Sequence, residues 1–186
     1  KVLMGLFGPK IQPPRNFRFA FFSFAEAMFI ESVYRKLRGA AGVFPDNRPY
    51  PREPLHPSAI AVFDGEPRSR VLIESPRRIV AGLKAKNGFS RLENFYQKMP
   101  EGFRAIHKDD PMRIEFWSFD DADEASREIA GKLAQRIDTP VDWHGPEKLA
   151  QYLQDLGEAL ESGQSPEVGL DAVMVLLERL GRVRSS

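Results

Sequence analysis

Two short apolar runs on either side of an Asp-Gly turn constrain the fold of this chain more than any other feature. Residues 59–63 have the length of a strand, Asp64-Gly65 is a strong turn signal, and residues 71–73 follow as the partner strand. Both runs are apolar on both faces, which is typical of central strands that other elements cover from each side. The hairpin therefore predicts a sheet with helices on both of its faces.

Helix and loop signals precede the hairpin. Ser23 followed by Glu26 fits a capping box, and we expect the helix that it opens to end near Gly39 or Gly42. Residues 44–57 carry five prolines, a run in which we expect neither a helix nor a ladder strand.

Helices and strands alternate after the hairpin. Pro76 opens a basic helix that resumes after Asn87-Gly88, and residues 113–119 form a strand. We expect a further helix, a short strand within residues 140–145, and a helix from Pro146. The apolar stripe of the first of these two helices is expected at Ala125, Ile129, Leu133 and Ile137. The order predicts an α/β fold with three layers, α/β/α, around a small central mixed sheet.

Length and composition fit one domain with appended elements. We expect an irregular N-terminal arm at residues 1–16, an α/β domain at residues 17–160 and a C-terminal helical extension at residues 161–186. No apolar run reaches the roughly 18–20 residues that a membrane-spanning helix needs. The chain has no cysteine, which excludes a disulfide scaffold and Cys-ligated metal sites. We expect a cytoplasmic protein.

Four segments of the second half follow a recognisable order: Phe116–Phe119, Asp123–Ala130, Val141–Gly145 and Glu147–Ala150. They resemble the second half of Mrr-type restriction endonuclease domains, with a strand that ends in small polar residues, a helix, a short strand and a helix start. The first half resembles the wider PD-(D/E)xK nuclease fold, in which a helix bearing Glu is followed by a loop, a hairpin and a helix. The resemblance implies a restriction-endonuclease-like fold.

The chemistry of that family needs two acidic groups and a lysine at the hairpin, where the carboxylates hold Mg²⁺. In this chain the Pro-Asp of the family reads Pro57-Ser58, and its Glu-x-Lys reads Glu74-Ser75-Pro76. Serine is not a hard anionic ligand, and proline supplies no cation. The resemblance thus implies a degenerate site with no metal and no cofactor. The vestigial candidates for its catalytic groups are Glu26, Ser58 and Glu74.

A Mg²⁺-dependent nuclease with rearranged ligands stays open as an alternative. Asp64 would then join Glu74, and Arg77 or Arg78 would supply positive charge. Asp64, however, is expected at an exposed hairpin tip, and arginine is a poor general base because it stays protonated.

The strongest feature outside the expected core is cationic. Positions 77, 84 and 91 recur every seven residues, so we expect them near one helix face. The seven basic residues of this segment are Arg68, Arg70, Arg77, Arg78, Lys84, Lys86 and Arg91. Such a surface neutralises phosphates, and the alternatives are a solvated helix face and the docking of an acidic partner.

Other polar residues have simpler explanations. We expect His56, His107 and His144 in surface loops or turns, without a catalytic role. The acidic residues at 120–124 fit the start of a helix, where the helix dipole favours negative charge. We expect Trp117 and Trp143 in the core.

The sequence therefore predicts a non-catalytic nuclease-like domain that acts as a binding or structural module, with nucleic acid bound through residues 68–91. A protein-interaction subunit is a further alternative. In it, the arm at 1–16 and a last helix at 166–181 would pack on a protein partner or on a second copy of the chain, away from any membrane.

Overall fold

The predicted hairpin forms and lies inside a five-stranded mixed sheet. Strand β2 (Ala59–Phe63) pairs antiparallel with β3 (Ser69–Glu74), and Ile60 lies opposite Leu72. The computed structural model describes residues 21–45, 56–107, 109–120 and 123–161. The expected arm at 1–16, the last helix at 166–181 and most of the proline-rich run lie outside the described residues.

Three more strands complete the sheet, in the order β1-β2-β3-β4-β5. Strand β1 (Gly42–Pro45) pairs antiparallel with β2, whereas β4 (Met112–Trp117) and β5 (Val141–His144) extend the sheet from β3 in parallel. The prediction of an α/β fold with a mixed sheet is confirmed. The expectation of no ladder strand within 44–57 is wrong at its first two positions. A proline is tolerated there because Pro45 ends the outermost strand, where a missing N–H costs little.

Two helices cover one face of the sheet. Helix α1 (Phe24–Ser32) begins at the predicted capping box and continues as one π-helical turn, Val33–Leu37. Helix α5 (Pro146–Glu161) lies on the same face. The core on this face includes Phe29, Ile30, Tyr34, Trp117, Leu149 and Leu153.

Three helices cover the other face: α2 (Pro76–Leu83), α3 (Gly88–His107) and α4 (Glu124–Ala134). Successive residues of a strand point to opposite faces, so β3 and β4 supply side chains to both cores. The second core includes Leu72, Ile79, Tyr96, Met99, Ile114, Phe116 and Leu133. The described part of the chain therefore has helices on both sides of one sheet.

The apolar stripe predicted for α4 is wrong at its first position. Ala125 is exposed and Ser126 is buried, whereas Leu133 and Ile137 are buried as expected. A spacing of four residues drifts about 40° around a helix at each step. Three steps of that size separate Ile137 from Ala125 and carry Ala125 off the buried face, and the residue beside it takes its place.

The turn between α2 and α3 depends on a glycine. A methyl group on Gly88 would lie 2.7 Å from both the Cα and the carbonyl oxygen of Leu83. Because these are backbone atoms, they cannot swing aside. We expect Gly88→Ala to lower the free energy of unfolding by about 1–3 kcal/mol in urea denaturation.

The matched control is Gly102, in the same helix, where an added Cβ would have open space. Gly102→Ala should raise the free energy of unfolding by about 0.5–1 kcal/mol, because alanine favours the helix. Equal effects of the two substitutions would contradict the close approach of Gly88 to Leu83.

Candidate functional site

Three helices begin where the parallel strands β3 and β4 end. Glu74 is the last residue of β3, and Ser75 caps α2 with a side chain that accepts from the backbone N–H of Arg77 at 3.2 Å. The capping box of α1 and the segment between β4 and α4 reach the same place through contacts with Arg77. The vestigial candidates Glu26, Ser58 and Glu74 lie at this end of the sheet.

Glu74 is fully buried on the face covered by α2 and α3. Its carboxylate accepts hydrogen bonds from the backbone N–H of Ser58 at 3.2 Å and from the Ser58 hydroxyl at 3.3 Å. Arg78 Nε lies 2.9 Å from the same carboxylate. Burial raises the pKa of Glu74, while Arg78 and Ser58 act in the opposite direction. Ser58 and Glu74, which stand at the two motif positions of the hairpin, are thus in direct contact.

Two aromatic rings flank the arginine that neutralises Glu74. The Arg78 guanidinium carbon lies 5.0 Å from the ring centre of Phe21 and 4.9 Å from that of Phe95. Both distances are within the range of cation–π attraction. The Arg78 side chain is only 12% exposed, so this cation is held inside the protein.

Glu26 is the second fully buried carboxylate of this region. Arg77 donates two hydrogen bonds to it, at 2.7 and 2.9 Å, and a third to Asp120 at 3.1 Å. The same guanidinium donates to the carbonyl oxygen of Phe21 at 2.9 Å. One arginine of α2 therefore ties α1 to the segment that follows β4.

The acidic residues that precede α4 have partners other than a helix dipole. Asp120 binds Arg77, and Asp123 accepts from the Ser118 hydroxyl at 2.6 Å. Burial raises the pKa of Asp123, and nearby Asp120 and Glu26 act in the same direction.

Among the described residues, no group of three or more acidic or histidine side chains is arranged to hold a metal ion.

A tyrosine hydroxyl beside the Glu74–Arg78 pair is buried without a partner. Tyr96 of α3 is 1% exposed, and its hydroxyl makes no hydrogen bond to any described residue. We expect Tyr96→Phe to leave the free energy of unfolding unchanged or to raise it by up to about 1 kcal/mol in urea denaturation.

Tyr34 is the control for this substitution. Its hydroxyl donates to Glu115 at 2.5 Å and accepts from Trp117 Nε1 at 2.9 Å. Tyr34→Phe removes both bonds inside the protein, so it should lower the free energy of unfolding by about 1–3 kcal/mol. A larger loss from Tyr96→Phe than from Tyr34→Phe would show that the Tyr96 hydroxyl is in fact satisfied.

The seven basic residues do not form one cationic face. Arg77 lies in α2, position 84 follows the end of that helix and position 91 lies in α3, so their spacing of seven does not place them along a single helix. Arg68 pairs with Asp64 at the exposed hairpin tip, and Arg70 pairs with Asp110 at 3.1 Å. Of these seven, the three that are exposed and have no carboxylate partner among the described residues are Lys84, Lys86 and Arg91.

A second polar centre, on the opposite face of the sheet, was not predicted. Glu115, in the middle of β4, is 1% exposed. It accepts from Tyr34 and from both terminal nitrogens of Arg38, and Arg113 Nε lies 3.3 Å from it. Burial alone would raise the pKa of Glu115, but contacts with His144, Arg38 and Tyr34 hold it well below its usual range. The sequence signal is a glutamate flanked directly by apolar residues, Ile114 and Phe116, inside a strand.

The expectation of a surface or turn position for His144 is wrong. His144 lies in β5, is buried, and has its Nε2 3.2 Å from a carboxylate oxygen of Glu115. Burial lowers the pKa of His144, while the neighbouring Glu115 acts in the opposite direction. It stacks on Trp117 with ring centres 4.8 Å apart, and Tyr152 stacks on both rings. His107, the last residue of α3, is half-buried.

None of the helices in the described ranges has the length and apolar character needed to cross a membrane. Comparison of the chain with protein-family models, with curated proteins and with solved structures finds no match.

Proposed function

We propose that this chain is a non-catalytic relative of the restriction-endonuclease-like nucleases and acts as a binding or structural module. The order of its elements supports this relation. A helix carrying Glu26 and strand β1 precede the hairpin β2–β3, and α2, α3, β4, α4, β5 and α5 follow. Apart from β1, the resemblance of residues 20–155 to that fold implies the same order.

The observation that carries the proposal is the pairing of both buried carboxylates with arginines of α2. Arg77 binds Glu26 through two nitrogens, and Arg78 binds Glu74. In the family, carboxylates at this place hold Mg²⁺, and a lysine stands beside them. Two guanidinium groups here supply the positive charge that the metal and the lysine would supply there.

The donor set does not fit a catalytic magnesium ion. Mg²⁺ requires oxygen ligands in octahedral geometry and keeps several of its waters, whereas Glu26 and Glu74 are fully buried and bound to cations. The position of the family's aspartate is taken by Ser58, which donates to Glu74 instead of ligating a metal. Arginine does not replace the general base, because its guanidinium stays protonated.

A cleavage assay tests the proposal. Purified protein is incubated with single- and double-stranded DNA and RNA in the presence of Mg²⁺ or Mn²⁺, beside Glu74→Gln as the matched variant. We expect no cleavage above that of Glu74→Gln. Cleavage that depends on the metal and disappears in Glu74→Gln would establish the alternative, a nuclease with rearranged ligands.

Nucleic acid stays a proposed ligand of this module, but through fewer basic residues than the sequence predicts. Four of the seven basic residues are engaged by carboxylates. If only the remaining three contact phosphates, the logarithm of the DNA association constant falls against the logarithm of the salt concentration with a slope of only about −3. A gel shift at two salt concentrations measures this slope.

A further inference from the structure

Exposed apolar and basic side chains meet at the corner between α2 and α3. Val80 and Leu83, which lie one turn apart on α2, are 43% and 39% exposed. Lys84 and Lys86 follow them directly, and both are exposed. We call these four residues together with Arg91 the α2–α3 corner.

Contacts between the two helices bring Arg91 to the same surface. Gly88, the first residue of α3, packs directly against the backbone of Leu83. Arg91 lies one turn further along α3 and is exposed, and residues three apart share a helix face. The corner thus has two aliphatic side chains with three cations around them.

Within the described part of the chain, the positive charge of the corner has no carboxylate to balance it. None of its three cations has a carboxylate partner among the described residues, and the first turn of α3 contains no acidic side chain. The helix dipole adds positive charge at this end of α3. The corner therefore attracts carboxylates.

We propose that the α2–α3 corner docks an acidic amphipathic helix of a protein partner. The apolar side of that helix covers Val80 and Leu83, and its carboxylates pair with the surrounding cations. The proposal rests on the general binding role proposed above, and it assigns the corner to a protein partner in place of nucleic acid.

Two other occupants fit the corner less well. Nucleic acid binds through many phosphate contacts and aromatic stacking, whereas the centre of this surface is aliphatic and the nearby ring of Phe89 lies under the guanidinium of Arg136, 5.0 Å away. A second copy would bring the same cations face to face in a symmetric contact, and like charges would repel.

Fluorescence anisotropy with three labelled probes tests the proposal. The first is a peptide of about 16 residues with leucines at i, i+3, i+4 and i+7 and glutamates beside them. The second has the same composition in scrambled order, and the third is a DNA duplex of about 20 base pairs. Wild-type protein is compared with two double variants, Val80→Ser/Leu83→Ser and Lys84→Glu/Lys86→Glu.

We expect the amphipathic peptide to bind best and each double variant to weaken it by roughly tenfold or more. The control is Ile106→Ser, which changes an apolar side chain outside the corner that is 64% exposed, and should leave the affinity unchanged. Circular dichroism checks that the variants fold.

Three results would overturn the proposal: no binding of either peptide, equal binding of the scrambled peptide, or tighter binding of the DNA duplex. None of these readouts involves a metal or cleavage. Failure of the docking proposal is therefore distinct from failure of the non-catalytic assignment, which the cleavage assay tests.

Discussion

Replacing Glu115 with alanine should lower the free energy of unfolding at pH 7 by about 3–5 kcal/mol, the range for breaking a buried ion pair from one side. Arg38 loses both of its hydrogen bonds to this carboxylate, and the Tyr34 hydroxyl loses its acceptor. His144 Nε2 loses the carboxylate oxygen that lies 3.2 Å from it. Urea denaturation followed by tryptophan fluorescence measures the change, because Trp117 lies in the same cluster.

Asp142→Ala is the control for this substitution. Asp142 pairs with Arg113, which also contacts Glu115, but both side chains of that pair are 43% exposed. Exposed pairs contribute little, so Asp142→Ala should cost less than about 1 kcal/mol. A similar loss from Asp142→Ala and Glu115→Ala would show that Glu115 is not the centre of the cluster.

Replacing Arg78 with methionine should produce a loss of stability that depends on pH. At pH 7 the buried carboxylate of Glu74 loses its counter-ion, and we expect the free energy of unfolding to fall by about 3–5 kcal/mol. Burial already raises the pKa of Glu74, and loss of Arg78 raises it further. Urea denaturation of Arg78→Met and wild type across the pH range measures the difference.

The sign of the pH dependence follows from proton binding. When the pKa of an acid is higher in the folded state than in the unfolded state, stability falls as the pH rises between the two values. The difference between Arg78→Met and wild type should therefore shrink as the pH is lowered toward the unfolded pKa of Glu74. Glu115, whose pKa is shifted the opposite way, is present in both proteins and cancels in this difference.

The double variant Glu74→Gln/Arg78→Met is the control. It removes the buried charge together with its counter-ion, so it should recover much of the stability that Arg78→Met loses at pH 7. Its difference from wild type should also depend less on pH. A loss in Arg78→Met that is constant from acidic to neutral pH would mean that packing against Phe21 and Phe95, and not charge, accounts for it.

Local signals predicted most of the fold. The hairpin, the capping box at Ser23 and the proline that opens α5 each specify backbone geometry within a few residues, and each is confirmed. Strand β1 was missed because its stability comes from pairing with β2, which no local pattern of its four residues reveals. Pro45 is itself a local signal against a strand. It is compatible with β1 because β1 lies at the edge of the sheet, and that position is a property of the whole fold.

The candidate site was predicted in part. The contact of Ser58 with Glu74 follows from hairpin register, because Ala59 pairs with Ile73. The binding of Arg77 to Glu26 could not be predicted in the same way, since 51 residues separate the two side chains and their approach depends on how α1 packs. The sequence therefore overestimates the number of basic side chains that are available to a partner, because it does not show which arginines bind carboxylates of the protein itself.

The centre around Glu115 was missed for a different reason. A glutamate inside an apolar strand is compatible with a solvent-facing side of the sheet, and only the packing of α1 and α5 on that face makes it buried. Its partners Tyr34 and His144 come from the first helical segment and the last strand. Because these residues lie far apart in the sequence, no local pattern predicts such a cluster, even though the central glutamate itself can be picked out.

Titration of Mn²⁺ into the wild-type protein, followed by the electron paramagnetic resonance signal of the free ion, tests most directly whether arginines occupy the place of the metal. If Arg77 and Arg78 neutralise Glu26 and Glu74, the free-ion signal grows in proportion to added Mn²⁺, with no saturable site below about 1 mM. A one-to-one site that is present in wild type and lost in Glu26→Gln or Glu74→Gln would contradict the account.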